Sequence, residues 1–381
     1  MDLQEYRNKI DAIDRQLVEL FIERMKTSAD IADYKSANYL PVLDKGRERE
    51  LLLKIADLCG EKYENYGVRL YQQILELSKT YQHHRIDGKS DLAEKIRVAT
   101  EAGMNTQLPE KATVACQGVE GAYSSLACEK LLELPNIMYF NSVDSVFSAV
   151  SNGFCRYGVL PVENSTAGSV NKVYDLMKKY NFYIVKCIRL KINHALLAKK
   201  GTKLEDVKKI YSHAMALAQS TDFLSSLEGV EAIPCENTAM AAKAVAESNE
   251  DGVAALSSIE CAELYGLDVL ENSVQNREDN YTRFILISKQ LEIYPGADRT
   301  SLMLTLPHKA GSLNTLLSMF AALNINLLKL ESRPLEGSDF EFMFYFDVEG
   351  SVYSEKFLQM IDELPYSTQS FVYLGSYSES V

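Results

Sequence analysis

Positions 7, 10, 14, 17, 21, 24, 28, 31 and 35 are separated by steps of three and four, which places them on one stripe of a helix spanning roughly residues 3 to 36. Ile10, Leu17, Phe21 and Ile31 are what a buried seam selects; Arg7, Arg24 and Lys35 on the same stripe are not. An unpaired cation in a seam is costly. Two readings stand open: the cations snorkel at the seam's ends or pair with carboxylates such as Asp14, or they converge on an anion. At a helical rise of roughly 1.5 Å per residue, Arg7 lies ~25 Å from Arg24 and ~42 Å from Lys35, beyond the span of a small ligand on one straight helix. For all three to serve one site, Arg7 must come from a second copy running antiparallel. The expectation is an intertwined dimer with two composite sites.

The first 85 residues or so read as helix, with Pro41 and Gly46 marking the turn. Beyond that turn come Asp44, Arg47 and Glu48, the first two spaced to face one way. Ser78 and Gln82 share a face of the last helix, and taken alone they read as surface residues. From about 87 to 111 the sequence is polar and aperiodic, which predicts a linker. Between 112 and 289 the runs ATVAC, YGVLPV, FYIVKCI, HALLAK, GVAAL and RFILIS alternate with amphipathic stretches, predicting an α/β sheet, mostly parallel. After a bridge holding Pro295 and Gly296, SLMLTLP, a helix over 311–323, NLLKLES, FEFMFYFDV, a helix over 353–364 and SFVYLGSY give the order βαββαβ of an α+β ferredoxin-like unit. A chain of 381 residues exceeds one core, so the fold class is multidomain: all-α over 1–86, linker 87–111, α/β over 112–289 and α+β over 298–377.

A net charge of −13 argues against nucleic acid and anionic membranes as partners. Seven cysteines without a CxxC pair fit reduced thiols, neither a disulfide framework nor a zinc site. The charged opening MDLQEYRNK is no secretory signal, and no apolar run approaches the ~20 residues of a membrane span, so a cytoplasmic protein is expected. No metal-ligand cluster or cofactor motif stands out.

In the α/β stretch polar groups follow the strands. Gln117-Gly118-Val119-Glu120-Gly121-Ala122-Tyr123-Ser124 follows ATVAC; Glu163-Asn164-Ser165-Thr166 follows YGVLPV; Ser212-His213 follows the strand at Ile210. Glycine turns into helix starts suit anions, and ligands of open α/β sheets collect at the carboxyl ends of strands. The same Ser, Thr and Asn are also the preferred helix caps, so each position alone admits a purely structural role.

Residues 6–82 resemble the all-helical chorismate mutases through YRNKIDAIDRQLVELFIER, DYK, PVLDKGRERELL and QQILELSKTYQ. The resemblance implies a three-helix interlocked dimer. It places the substrate-binding residues on Arg7, Arg24, Lys35, Asp44, Arg47, Glu48, Ser78 and Gln82. Lys35 and Gln82 would meet the breaking ether oxygen, Arg7 and Arg24 the carboxylates, and Glu48 the ring hydroxyl. Such a pericyclic rearrangement needs a folded substrate and stabilised charge, with no nucleophile or proton transfer.

Residues 112–289 resemble prephenate dehydratase through GVEGAYS, VLPVENSTAGSV, CENTAMAA, LYGLDVL and NYTRF. The implied fold is two α/β lobes about a cleft, as in periplasmic binding proteins. The implied substrate-binding residues are Tyr123, Ser124, Glu163, Asn164, Ser165, Thr166, Ser212, His213, Gln219, Asn237, Thr282, Arg283 and Phe284. Thr282 is the implied proton-donating or orienting hydroxyl, and Arg283 is a candidate carboxylate anchor or else part of a strand-edge salt bridge. The family's Ser-His-Pro-Gln reads Ser212-His213-Ala214-Met215 here, with Gln219 retained.

Residues 299–377 resemble an ACT domain, through Leu330-Glu331-Ser332-Arg333-Pro334 and the loop Lys309-Ala310-Gly311-Ser312-Leu313. This implies an effector site on Gly311, Ser312, Leu313, Glu331, Ser332, Arg333 and Pro334, taking phenylalanine between paired domains. Together the resemblances imply a homodimeric or larger, cofactor-free bifunctional enzyme that turns chorismate into prephenate and prephenate into phenylpyruvate, inhibited by phenylalanine. Two rivals remain: a dehydratase whose helical arm only dimerises, and a non-catalytic amino-acid-binding regulator.

Overall fold

The structure, a computed structural model, describes residues 2–88, 90–335 and 342–381. Its contacts divide into two compact units: Met1–Arg97, Met303–Phe346 and Tyr353–Phe371 form one; Val98–Leu302, Asp347–Val352 and Val372–Val381 form the other.

The first unit opens with the helix Leu3–Ala37, started by a capping box in which Asp2 and Glu5 each bond the other's backbone N–H. Asp44 then caps the long helix Lys45–Asp87. That helix is broken at Gly60, whose φ of 66° is left-handed, so the segment is three helices. An isolated glycine inside a helical pattern does not announce such a break. The seam of the first helix is open, with Ile10 56% and Leu17 55% exposed.

The stretch 87–111 is not an aperiodic linker. It carries the helix Asp91–Gly103, in which Ala93, Ile96 and Thr100, spaced by three and four, are buried. Ser90 accepts from the Ala93 N–H at its start, and a Cβ on Gly103 would lie 1.7 Å from the Ile293 carbonyl oxygen. The buried stripe is short, and the charges between its members mask it.

The C-terminal elements run Arg299–Thr305, Ser312–Ala322, Asn326–Pro334, Phe342–Glu349, Glu355–Ser367 and Ser370–Tyr377, in the expected βαββαβ order. Phe340 and Glu341 of the predicted strand FEFMFYFDV lie outside the described residues. Numbering these four strands in chain order, the sheet runs 2-3-1-4.

The second unit holds two sheets. The first, in spatial order, is Glu379–Ser380, Tyr183–Lys191, Tyr281–Ser288, Tyr157–Asn164, Lys111–Gln117 and Leu134–Phe140, with Gly168–Ser169 beside Tyr157–Asn164. The other is Asp268–Glu271, Ala195–Ala198, Val253–Ser257, Lys209–His213 and Glu231–Cys235. Both are mixed, which corrects the mostly parallel expectation. Parallel pairing holds where a helix crosses over within one sheet, as from Lys111–Gln117 to Leu134–Phe140. Tyr281–Ser288 re-enters from the other sheet and inserts antiparallel to both neighbours. The Thr238–Glu247 helix buries Ala239, Ala241 and Ala242 against Ala255, small residues that let helix and sheet approach closely.

Two candidate active sites

In the second unit a cavity of ≈ 470 Å³ opens where strands end. Gln117, Asn141 and Asn164 reach it from the first sheet, and His213 and Glu236 from the second. Ile192 and His194 come from the passage between the sheets, and Thr282 from the strand that returns. This is the expected carboxyl-end position.

A closed ring of hydrogen bonds includes two of the lining residues, Asn164 and Gln219. Asn164 Nδ2 donates to Asn280 Oδ1 at 2.9 Å, and Asn280 Nδ2 donates to Gln219 Oε1 at 3.0 Å. Gln219 Nε2 donates to Thr166 Oγ1 at 2.7 Å, whose hydroxyl donates back to Asn164 Oδ1 at 2.6 Å. Asn164 Nδ2 also donates to Thr282 Oγ1 at 2.9 Å. Because Thr282 is an acceptor in that bond, its own O–H is left to point elsewhere. Ser165 ties the loop down, donating to the Asp279 carbonyl and accepting from the Tyr281 N–H, both at 2.9 Å.

His194 is 2% exposed, and neither ring nitrogen has a hydrogen-bond partner of good geometry. Burial pulls its pKa down to about 4, against a smaller opposing effect of Gln219, so the imidazole is neutral near pH 7. Tyr123 meets it edge-on at 6.1 Å and donates to the Asn193 carbonyl at 2.5 Å. The helix Tyr123–Leu131 begins beside the cavity without a side-chain cap, leaving its first N–H groups available.

Of the sequence candidates, Tyr123, Ser124, Asn164, His213, Gln219, Asn237 and Thr282 line the cavity. His213 and Asn237 also cap helices, so capping and lining coexist. Four candidates are corrected. Ser212 is fully buried and donates to the Leu256 carbonyl, and Phe284 is 2% exposed in the core. Side chains alternate along a strand, so Thr282 in the cavity sends Arg283 to the other face. There Arg283 donates to Glu379 at 2.7 Å and to the Tyr377 hydroxyl at 2.9 Å, and pairs with Asp347. Glu163 faces Arg283 at 3.9 Å. Arg283 is therefore an ion-pair residue, buried rather than at a strand edge, and not a cleft anchor.

In the helical segment Arg24 donates to the Ser78 hydroxyl, and Lys35 donates to the Val42 carbonyl at 2.6 Å. Glu48 pairs with Lys79 at 3.0 Å. Ser78 and Gln82 are 3% and 7% exposed, not surface residues, and Gln82 Oε1 has no partner. Asp44 accepts from the Arg47 N–H, while Arg47 stays exposed beside Glu50. Arg7 is exposed near the other end of its helix, and among the described residues neither it, Arg24 nor Lys35 forms an ion pair with Asp14.

Farther on, Gly311 adopts φ 88° ahead of the helix Ser312–Ala322, with Leu313 partly buried. On the strand Asn326–Pro334, Glu331 and Arg333 share the partly buried face and Ser332 and Pro334 the exposed one. Glu331 lies 3.2 Å from Lys329, and the Arg333 guanidinium 6.0 Å from the Tyr345 ring.

The family model for chorismate mutase type II matches residues 6–83, and that for prephenate dehydratase matches residues 114–292. A bifunctional chorismate mutase/prephenate dehydratase of Enterobacter agglomerans is 33% identical over 389 residues, covering 98% of this chain and 96% of the relative. The chain belongs to this family. A bifunctional chorismate mutase/prephenate dehydratase of Escherichia coli (strain K12) is 31% identical over 387 residues, covering 98% of this chain and 96% of its own. Among solved structures, prephenate dehydratase from Arthrobacter aurescens in complex with L-Phe is 27% identical, covers 70% of this chain and 89% of that one, and has a TM-score of 0.64.

Against the family's Ser-His-Pro-Gln, Ala214 begins the short helix Ala214–Ala218 and Met215 lines the cavity. Proline at the first helical position would have the same backbone, so its loss leaves the turn intact. Gln117, Asn141, His194 and Glu236 also line the cavity; Gln117 lies in the polar turn after ATVAC but was not named a site residue, and the other three were not foreseen. Three of the four end or directly follow a strand, a signal the sequence carries; His194 between two apolar runs has none.

Proposed function

We propose that this family member carries out both reactions on one chain, rearranging chorismate to prephenate in its opening helices and converting prephenate to phenylpyruvate in the α/β cleft. The proposed division is 1–86 for the mutase, 112–289 for the dehydratase and 298–377 for a regulatory ACT module. The observation that carries the reading is the pairing of two built sites: Arg24 on Ser78 in the helices, and Asn164 on Thr282 in the cavity.

In the mutase, Arg24 and the partner copy's equivalent of Arg7 hold the carboxylates of chorismate, each by a fork of N–H donors. Lys35 and Gln82 stabilise the charge that grows on the ether oxygen, and Glu48 accepts from the ring hydroxyl. Asp44, Arg47 and Ser78 complete the set. The reaction is unimolecular, so catalysis is positioning plus electrostatics. The exposed Ile10 and Leu17 support the interlocked dimer.

In the cleft, prephenate's carbon–carboxylate bond breaks, carbon dioxide departs, its electron pair enters the ring, and the ring hydroxyl leaves as water. Both reactions are redox-neutral and call for no cofactor. Thr282, held through its lone pair by Asn164, directs its O–H toward the departing oxygen and relays a proton from solvent. A neutral His194 carries one ring N–H free to donate to a ligand and supplies no acid near pH 7. The cavity lining holds no lysine or arginine among the described residues, so substrate carboxylates are met by the uncapped N–H groups at Tyr123 and Ser124 and by side-chain amides.

Phenylalanine is the proposed inhibitor, bound between paired ACT modules by the Gly311–Leu313 turn and the Glu331–Pro334 strand end. The relative's complex with L-Phe supports this. A cytoplasmic location is consistent with seven free cysteines. Among the described residues no helix is long and apolar enough to cross a membrane. The test is to incubate the full chain with chorismate and follow phenylpyruvate. Phenylpyruvate should accumulate and phenylalanine should suppress it; prephenate alone would leave only the mutase half standing.

A further inference from the structure

Thr282 meets the cavity on one face of its strand; on the other face Arg283 meets an ionic cluster assembled from far along the chain. Arg283 Nε donates to Glu379 Oε2 at 2.7 Å, and Nη1 donates to Asp347. The other oxygen of Glu379 accepts from Arg189 Nε and Arg299 Nη1, each at 2.9 Å. The Glu379 side chain is 2% exposed, so one buried carboxylate serves three guanidinium groups. The backbone repeats the attachment. Cys187 N–H donates to the Ser378 carbonyl at 3.0 Å, and Glu379 and Ser380 pair in parallel with Cys187 and Ile188.

That pairing partner, Tyr183–Lys191, is the direct neighbour of the Thr282 strand, with Thr282 opposite Leu190 and Arg283 opposite Arg189. On its other side Thr282 pairs with Asn164, and the register slips between Arg283 and Phe284. A strand irregular at that point depends on side-chain anchors for its local geometry. A buried carboxylate is retained at a cost that its partners offset only when all are present.

We propose that Glu379 is a positioning residue for the dehydratase cleft: by clamping Arg283 it fixes the peptide that presents Thr282 to the cavity. The proposal rests on the dehydratase reading of that cleft. Because the two side chains leave opposite faces of one strand, a backbone rotation at Arg283 is felt at Thr282, and an anchored Arg283 resists it. The two acids that hydrogen-bond Arg283 come from the C-terminal elements, Asp347 from Phe342–Glu349 and Glu379 from just after Ser370–Tyr377, with Glu163 at 3.9 Å a third carboxylate nearby. Asp347 and Glu379, both in the second unit, thereby anchor the strand that bears Thr282.

The test uses the full-length chain and reads both reactions. Glu379→Gln keeps the shape of the side chain and removes its charge. Dehydratase kcat should fall about tenfold to a hundredfold while KM for prephenate stays within about twofold, the signature of a misplaced catalytic group. Chorismate turnover should not change. Combining Glu379→Gln with Arg283→Lys should cost no more than the worse single change, since both act through one contact. An unaltered kcat in Glu379→Gln overturns the proposal, as does a joint fall of both activities together with melting temperature. If Glu379→Gln does not fold, Arg189→Gln and Arg299→Gln take its place, and wild-type kcat in both overturns the proposal. A wild-type chain that leaves prephenate untouched removes the dehydratase reading itself, and this proposal with it.

Discussion

The helix Leu3–Ala37 leaves most of its apolar seam in water, with Leu17 55% exposed, while the cavity of the α/β unit encloses His194 at 2%. Beside the cavity the Asn164–Asn280–Gln219–Thr166 ring closes on itself within one chain, while the His194 ring nitrogens have no partner of good geometry. In the helices Gln82 presents a buried oxygen with no partner, and Arg7 stands in solvent at the remote end. The proposed dehydratase site is drawn from one chain, whereas the proposed mutase site needs a second copy. A buried unsatisfied carbonyl and an exposed seam are both costly for a lone chain. A second copy covering the seam, with substrate against Gln82 as proposed, would remove both costs.

The sharpest way to break this comparison is to disable each region separately. Lys35→Ala should lower mutase kcat by about a thousandfold, by analogy with removal of a charge-stabilising donor, and leave dehydratase kcat unchanged. Thr282→Ala should lower dehydratase kcat by about a hundredfold to a thousandfold and spare the mutase. Steady-state assays with chorismate and with prephenate on each variant check this. A variant that disturbs both reactions equally would show that the regions are not independent catalysts.

The next test asks whether the helical site is shared between copies. Arg7→Ala and Lys35→Ala chains should each be nearly inactive as mutases. Unfolded and refolded together, they should regain about a quarter of wild-type activity: half of the dimers are mixed, and one of the two sites in each is intact. The dehydratase offers the contrast, since Asn164→Ala and Thr282→Ala lie in one cavity and should not complement. No recovery in the mutase mixture would place Arg7 outside the site.

How far the sequence alone reaches differs between these regions for a physical reason. The three- and four-residue spacing of Ile10, Leu17, Phe21, Arg24 and Lys35 is local, so the helix and its misplaced cations were legible. Gly60 was not, because the left-handed φ that makes it a break is a backbone property its neighbours do not announce. Ala93, Ile96 and Thr100 formed too short a stripe to stand out from the charges around them. In the α/β unit the polar residues after strands pointed to the cavity, but which face each takes depends on register. Arg283 was misread for that reason: alternation was visible, yet its partners Asp347 and Glu379 lie 64 and 96 positions away. Chain direction in the sheets was misjudged because the sequence does not say that Tyr281–Ser288 comes back from the other lobe. His194 had no pattern at all; only tertiary burial gives it meaning.

His194 supplies the smallest and most specific test, since it asks whether the enclosure of the cleft is real in solution. With a folded pKa of about 4 against an ordinary 6.5, the imidazole is neutral in the native chain and must gain a proton only on unfolding. The unfolded state therefore binds more protons between these values, and stability is full above pH 6.5 and declines as pH falls toward 4. At pH 5 the loss is about 2 kcal/mol relative to pH 7.5. His194→Gln, which does not titrate, should flatten that part of the curve, so the difference between wild-type and variant urea midpoints should shrink on acidification. Dehydratase kcat should show no inflection near pH 6.5 from this residue. Parallel wild-type and variant stability curves would mean that His194 sits in water, and that the cleft is as open as the seam of the helices.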